Sequence, residues 1–269
     1  TTKESYACEA VIIATGGASY PLTGSTGDGY RLAEGVGHSI TDIRPSLVPI
    51  VTEESWVKDI MGLSLRNVEV SIVFKEKVQA KMFGEMMFTH FGVTGPTILS
   101  LSHTVGKLLR KKKTASIAVS INLKPALTAE VLDKRLQKDF DLYSKKQLAN
   151  GMKDLLPSNL IPIIISLAKL DPAKPINQIT KEERQQLCHV LQHMTLTVKG
   201  LRPVEEAIVT AGGISLKEFN PKTMESKLVK GLYCAGEVLD IDAFTGGYNL
   251  QAAFSTGYVA AMHIVHGEV

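Results

Sequence analysis

The chain has 269 residues, 44% of them hydrophobic, enough to bury a substantial core and to form more than one domain. Its 30 basic and 27 acidic residues nearly cancel, so no global field draws it to nucleic acid or to an anionic membrane. Cys8, Cys188 and Cys234 are widely spaced, with no C-x-x-C pair and no secretory signal, which fits a reducing cytoplasm rather than a disulfide framework. No apolar run approaches the ~20 residues that span a bilayer.

Read from the N-terminus, Ala7 to Ala14 is a mostly apolar run of strand length, as in a central parallel strand, and it ends in Thr15-Gly16-Gly17-Ala18-Ser19. Gly24-Ser25-Thr26-Gly27-Asp28-Gly29 then precedes a helix predicted over Tyr30 to Val36, with Ser25 or Thr26 as its cap. The glycines there either admit a ligand close to the backbone or form an ordinary loop. Composition changes at Pro45-Ser46-Leu47-Val48-Pro49. Leu63 to Phe74 alternates at Val68, Val70 and Ile72, Lys75-Glu76-Lys77 turns the chain into Val78 to Phe83, and Ser116 to Leu123 alternates again. These short strands predict a small antiparallel barrel-like domain. Between them lies Gly84-Glu85-Met86-Met87-Phe88-Thr89-His90-Phe91-Gly92-Val93-Thr94-Gly95-Pro96, whose last three residues open a helix with proline in its first turn. Arg110-Lys111-Lys112-Lys113 is a basic cluster without interleaved aromatics, hence a solvated loop rather than a nucleic-acid patch.

From Thr128 to His193 the pattern is helical, over Thr128–Phe140, Lys145–Leu155, Ser158–Leu170 and Thr180–His193. Thr128, Ser158 and Thr180 offer N-caps, and Pro157, Pro172 and Pro175 mark boundaries. His189 and His193 share a helix face, but Val190-Leu191-Gln192 between them supplies no acid, so no metal site is read there. Strand character returns at Leu196–Leu201 and Ala207–Thr210, and Thr210-Ala211-Gly212-Gly213 repeats the strand-to-glycine turn of Ala14–Gly17.

The run from Gly231 to Gln251 carries the most chemistry. Leu232 to Ala235 reads as a short buried strand ending at Gly236, and Glu237 directly after it can accept hydrogen bonds from ligand hydroxyls. Thr245-Gly246-Gly247 strips side chains from a loop before a helix whose Leu250, Ala253, Phe254, Gly257, Tyr258 and Ala261 recur at spacings of three and four. The N–H groups at such a helix start, beside the positive end of the dipole, attract an anion or an electron-rich carbonyl. By composition alone, the same strand, turn and helix occur in many α/β proteins.

As a whole string, this run resembles the C-terminal FAD-binding motif of the glutathione-reductase-like, two-dinucleotide-fold flavoproteins. Within that superfamily it is similar to the bacterial NAD(P)/FAD-dependent oxidoreductase family that includes aminoacetone oxidases and dehydro-bile-acid reductases, whose pattern reads GLY-x-AGE-x-LD-x-D-x-x-TGGYN-L-Q. Ala14-Thr15-Gly16-Gly17, Thr26-Gly27-Asp28-Gly29, Gly84 to Pro96 and Pro221 to Ser226 resemble motifs of the same family in the same order. The resemblance implies an α/β fold: an incomplete, Rossmann-like FAD domain formed by residues 1–44 and 201–269. Into it are inserted a β-barrel-like subdomain, 45–127 with 194–200, and a small helical bundle, 128–193.

It also implies FAD held by Ala14, Thr15, Gly16, Gly17, Gly27, Asp28, Gly29, Gly236, Glu237, Gly246, Gly247, Tyr248, Asn249, Leu250 and Gln251. His90 is then either a substrate-side acid or a loop anchor, and Tyr248 either a donor to a substrate carbonyl or a cover for the ring. NAD(P)H is the implied electron donor, a small organic molecule the substrate and the cytoplasm the location, with no metal, nucleic acid or membrane. The chain begins at Thr1 and has no G-x-G-x-x-G after a first strand, the usual pyrophosphate cradle, which in the resembled family lies upstream. It is therefore read as the C-terminal two-thirds of a longer flavoprotein, with the missing N-terminal segment as its partner. Two alternatives stand beside this reading: a fumarate reductase-like flavoprotein, and a folded fragment that no longer binds FAD.

Overall fold

A computed structural model describes residues 4–111 and 116–267 of the chain. In chain order its elements begin β1 (Val11–Ile13), α1 (Asp28–Glu34), β2 (Arg44–Ser46), β3 (Ile50–Thr52), β4 (Ser64–Phe74) and β5 (Lys77–Thr89). They continue with β6 (Gly92–Thr94), α2 (Pro96–Lys111), β7 (Ile117–Asn122), α3 (Ala129–Leu142), α4 (Leu148–Gly151) and α5 (Ile161–Leu167). The last are α6 (Lys181–Gln192), β8 (Met194–Leu201), β9 (Val209–Ala211), β10 (Leu232–Cys234) and α7 (Tyr248–His266). They fall into two units, Thr1–Val48 with Leu201–Val269, and Pro49–Gly200.

The first unit is held by strands from opposite ends of the chain. Val11, Ile12 and Ile13 lie parallel against Leu232, Tyr233 and Cys234. The strand predicted over Ala7–Ala14 narrows to these three residues, because only they meet β10. Alternation puts Ile13 and Tyr233 on opposite faces of the pair. On one face, Gly29 of α1 has no room for a Cβ, which would sit 3.2 Å from Ile13 and 2.8 Å from Val238. On the other, Tyr233 reaches His263 of α7 through a 2.9 Å hydrogen bond. Ala33, Ile214, Phe219, Cys234, Val238 and Leu239 fill the core around the pair. β2 and β9 form a second, antiparallel pair.

Two local expectations are corrected here. α1 begins at Asp28 rather than Tyr30, and its cap is Gly27 at φ 78 rather than Ser25 or Thr26. The Thr26 hydroxyl donates instead to Asp28 Oδ2 at 2.8 Å. In α7 the predicted apolar stripe turns outward: Leu250, Phe254 and Tyr258 are 65%, 70% and 66% exposed, while Ala260 is buried. Small residues set this orientation. Thr256 Oγ1 accepts the Gly236 N–H at 2.9 Å, an approach that leaves no space for large side chains on that face.

The second unit is a closed barrel in the order β3-β6-β5-β4-β7-β8, all antiparallel in the pairs whose register is resolved. Ile50, Val70, Ile72, Phe88, Val119 and Leu196 are fully buried in it. Gly84 to Pro96 is not a connection between strands. Gly84 to Thr89 extend β5 to 13 residues, and Gly92 to Thr94 form β6, leaving His90 and Phe91 as the turn. The alternation was masked by the run of apolar residues: Met86 and Phe88 are buried while Glu85 is exposed. α2 starts at Pro96 as predicted; Arg110 and Lys111 end it, and Lys112 and Lys113 lie outside the described residues.

Among the helices that follow, Thr128 caps α3 by accepting the Val131 N–H, and Thr180 with Glu183 forms a capping box on α6. The helix predicted over Lys145–Leu155 shrinks to α4. Lys146 and Leu148 pair their backbone groups with Ile176 and Lys174 rather than along a helix, at 3.0 Å each. Ser158 is not a cap either; α5 begins after Leu160 and ends where Lys169 turns left-handed at φ 57. No helix among the described residues is long and apolar enough to cross a membrane.

A buried histidine ties the ends of the first unit together. His38 Nδ1 and Glu218 Oε2 lie 2.8 Å apart, Nε2 and Ser226 Oγ 2.9 Å apart, and the ring stacks on Phe219. Hydrogen bonds from Ser39, and then from His38, hold the Glu218 carboxyl below its usual range. A depressed folded-state pKa stabilises above the unfolded value, about 4.3, and that contribution disappears as pH falls through the folded value. Glu218→Gln is therefore expected to lose less stability than the parent chain between pH 7 and pH 3. Urea melts across that range measure it, and parallel curves for the two proteins would refute it.

Candidate functional site

Of three glycine-bearing turns in the first unit, two meet at Glu237 and one packs beside it against Val238. Behind β1, the chain at Gly16–Ser19 is fixed by Thr210, whose Oγ1 accepts the Ala18 and Ser19 N–H groups at 2.8 and 3.1 Å and pairs with Ser19 Oγ at 2.9 Å. The Thr210 N–H in turn donates to Glu237 Oε1 at 2.7 Å. Gly17 allows this closeness. A Cβ there would stand 2.4 Å from Thr210 Oγ1 and 2.7 Å from Glu237 Oε1. Sequence reasoning missed Thr210 as a site residue, although the Thr-Ala-Gly-Gly echo was the available signal.

In the second turn, the residues part company. Gly27 lies over the Tyr30 ring, and a Cβ on it would approach Tyr30 Cδ2 to 3.3 Å. Asp28 instead pairs with Arg31 on the exposed side. The Thr26 hydroxyl first, and then Arg31, hold its carboxyl below the usual range. The structure thus shows Asp28 in a local surface pair.

The third turn opens α7. Gly246 and Gly247 have φ of 110 and 90, and Gly247 is the N-cap of the helix, with open space where its Cβ would be. The first N–H groups of α7 have no partner within the helix. A cavity of about 390 Å³ lies against this turn, lined by Leu47, Val209, Glu237, Gly246, Gly247 and Leu250 among others. Asn249 also borders it, but its side chain is engaged locally. Its Oδ1 accepts the Ala243 N–H at 2.8 Å and its Nδ2 donates to the Ala243 carbonyl at 3.0 Å, clipping the preceding loop in place. Gln251 donates to Ser255 at 3.1 Å along the helix surface. Tyr248 is 64% exposed beside Gly246.

The remaining candidates do not share one environment. Ala14, Thr15 and Gly16 follow β1, with Thr15 Oγ1 directed at the Gly16 carbonyl at 3.4 Å. Gly236, at φ 80, precedes Glu237, and Gly29 packs into the core. His90 belongs to the barrel unit, exposed in the turn between β5 and β6 with its ring edge-on to Phe91. Burial pushes the Cys188 and Cys234 thiols up to about 11 and about 12, so neither is a thiolate near neutral pH. Among the described residues no cluster of three ligand-type side chains is arranged to hold a metal ion.

Comparison with known proteins adds the following. Residues 44–209 match the family described as HI0933-like protein barrel and H2TH domain. The chain is 29% identical over 255 residues to a 3-dehydro-bile acid delta(4,6)-reductase from Clostridium scindens, covering 95% of this chain and 62% of the relative. It is 30% identical to ribosomal RNA dihydrouridine synthases from Haemophilus influenzae and Escherichia coli, each alignment covering 96% of this chain, with 60% and 61% of the respective relative. The chain thus spans 60–62% of the length of these relatives.

The hydroxyl of Thr210 is the element whose removal tests the geometry of the first turn. Thr210→Val keeps the shape but leaves the Ala18 and Ser19 N–H groups without their acceptor, at a cost of about 1–3 kcal/mol. Thermal or urea denaturation should show that loss, and stability equal to the parent would mean that water replaces the hydroxyl.

Proposed function

Because the chain belongs to the HI0933-like protein family, we propose that it forms the C-terminal part of an FAD-dependent oxidoreductase whose cofactor domain is Rossmann-like and built from both chain ends. The observation that carries this reading is the convergence of two glycine turns, at Gly17 and at Gly246–Gly247, on one anchored carboxylate at the edge of a cavity. The residues fit such a cofactor. Glu237 is available to ligand hydroxyls at the cavity wall, the Gly16–Gly17 turn brings bare backbone close to it, and the start of α7 offers N–H groups to an electron-rich carbonyl edge. Bound there, FAD would supply two-electron hydride chemistry, with NAD(P)H as donor. Tyr248 Oη, exposed beside the Gly246 turn, is the group we assign to holding a proton for the substrate. The names of the relatives share reduction of a carbon–carbon double bond, so the substrate class we propose is a small organic molecule with such a bond in conjugation. Two relatives named for ribosomal RNA support a second reading, in which that bond belongs to a uridine.

The partner we propose is the additional polypeptide by which the relatives exceed this chain. Val11 N–H donates to Gly231 and Ala235 N–H donates to Ile13, so residues 11 and 13 turn their backbone groups toward β10. Ile12 then presents its N–H and carbonyl on the other edge of β1, where no strand pairs among the described residues. Val11, Ile12 and Leu32 nearby are exposed apolar residues. A further parallel strand with a helix would cover them.

The test uses the full reading frame that encodes this chain. The purified protein should show the two visible bands of oxidised flavin and oxidise NAD(P)H when given a conjugated enone, and a uridine-containing RNA fragment as acceptor separates the second reading. Glu237→Gln should weaken FAD by about tenfold, the equivalent of ~1.4 kcal/mol for a charge-assisted bond made neutral. Gly247→Val adds a branched side chain at φ 90 and should lose FAD more severely. Absence of flavin bands and of any FAD titration in the wild-type protein would remove this reading.

A further inference from the structure

The near-balance of charge over the whole chain conceals a division between its two units. Residues 49–200 hold 22 basic and 14 acidic residues, a net charge of +8, while the rest of the chain holds 8 and 13, a net charge of −5. A surplus of that sign acts on polyanions before any contact is made.

Within the second unit the strand register gathers part of this charge. Phe74, at the end of β4, pairs with Lys77 of β5 on one side and with Ile117 of β7 on the other. Ala118 pairs in turn with Thr197 of β8, two residues before Lys199. The row from Lys77 to Lys199 thus crosses four adjacent strands, about 14 Å at the usual strand spacing. α2 is steered toward the same row. Its Thr97 donates to the Glu85 carbonyl, about 27 Å up β5 from Lys77, and the chain is back beside Phe74 by Ile117. The residues between Lys111 and Ile117 reach about 20 Å at most, so α2 itself runs toward the row and brings Lys107 and Arg110 with it.

These cations are uncommitted. Lys75, Lys77, Lys107, Arg110 and Lys199 are exposed, and among the described residues none of them forms an ion pair. Arg66 and Lys81, farther along β4 and β5, do pair, with Glu85 and Glu69. The turn that presents Lys75 also runs against local preference. Lys75 and Glu76 have φ of 50 and 60, a two-residue hairpin turn that Asn-Gly usually occupies, so a lysine stands here at a conformational cost. Its Nζ lies over the Phe74 ring, 5.8 Å from the centroid.

We infer that this row of cations is the docking surface for the phosphate backbone of a folded RNA. The inference deepens the uridine reading above and rests on it: a uridine within an RNA brings a chain of phosphates with it, and a free enone brings none. Cations fixed at strand spacings of about 4.8 Å can follow successive phosphates, and contacts of this kind position an RNA without reading its sequence. A lipid surface fits less well. Val78 and Leu109, exposed near the row, do not make the apolar stripe that lies in a headgroup layer. The run that begins at Arg110, a solvated loop by sequence alone, is joined here by cations from a hairpin and from β8.

The test uses the protein made from the full reading frame. Anisotropy of a labelled, uridine-containing RNA hairpin is titrated at several KCl concentrations. Lys75→Gln/Lys77→Gln and Lys107→Gln/Arg110→Gln should each weaken binding about tenfold and lower the slope of log K against log salt by about 1–2. Lys145→Gln/Lys153→Gln, which removes equal charge from exposed, unpaired positions of the helical insert, should bind as the parent does. All three should keep the parent melting temperature. Equal losses in the three variants would overturn the inference, because net charge rather than this row would be what RNA senses. So would binding to phosphatidylserine vesicles, lost in the row variants, with no binding to the hairpin. Uridine reduced equally fast by row variants and parent would leave the uridine reading standing and remove the docking surface. Hairpin binding that depends on the row, without reduction of uridine, would keep the surface and remove that reading.

Discussion

The first unit depends on a pairing that is short and very distant in sequence. β1 and β10 share three residue pairs, and more than half the chain lies between them. Loop closure grows only slowly with length, so the separation itself is affordable, but three pairs give little enthalpy to oppose it. The link that completes the junction is polar. Thr210 holds the backbone of Ala18 and Ser19 with its hydroxyl and is itself held by Glu237 through its N–H. Glu237 is thereby fixed by the same hydrogen bond that closes the fold. A carboxylate at a cavity wall is useful for recognition only if its direction is set beforehand, and here the folding constraint sets it.

What the sequence made legible was local. Thr128 and Thr180 announced their helices because an N-cap and its N3 partner lie within one turn. The strands at Leu63–Phe74 and Ser116–Leu123 showed period-two alternation because one side of each faces the barrel interior. The glycine turns were legible as turns, and their order along the chain pointed to one domain formed by both ends. Contacts made at long range were not legible. Nothing near Thr210 reveals that its hydroxyl serves residues 191 and 192 positions earlier in the chain. Tyr30 reads as an ordinary apolar helix position until its hydroxyl is found enclosed.

Other candidate side chains are engaged close by, because a polar group can satisfy itself nearby. Asp28 sits in a glycine loop of ligand-binding appearance, yet Arg31 at i+3 is near enough to take it. Asn249 lies at the mouth of the cavity, yet the loop at Ala243 and Phe244 takes up its amide. In both cases the competing partner was visible in the sequence within six residues, and the entropic advantage of a local partner decided the outcome. Gly246 and Gly247 had no such competition, since a glycine offers only its backbone.

α7 ties the site to an exposed apolar surface of the unit. Its 19 residues contain no Lys, Arg, Asp or Glu. A surface helix carries a charged face, and one that is apolar all round belongs between two layers. The small-residue side of α7 already has its layer, through Thr256 and Ala260. The opposite side presents Leu250, Phe254 and Tyr258, and Leu250 is also part of the cavity wall. An element laid over that stripe would therefore bury the aromatic side chains and extend the wall of the cavity in the same event. The exposed stripe and the open cavity are in that sense one feature of the fold, met first by packing and then by chemistry.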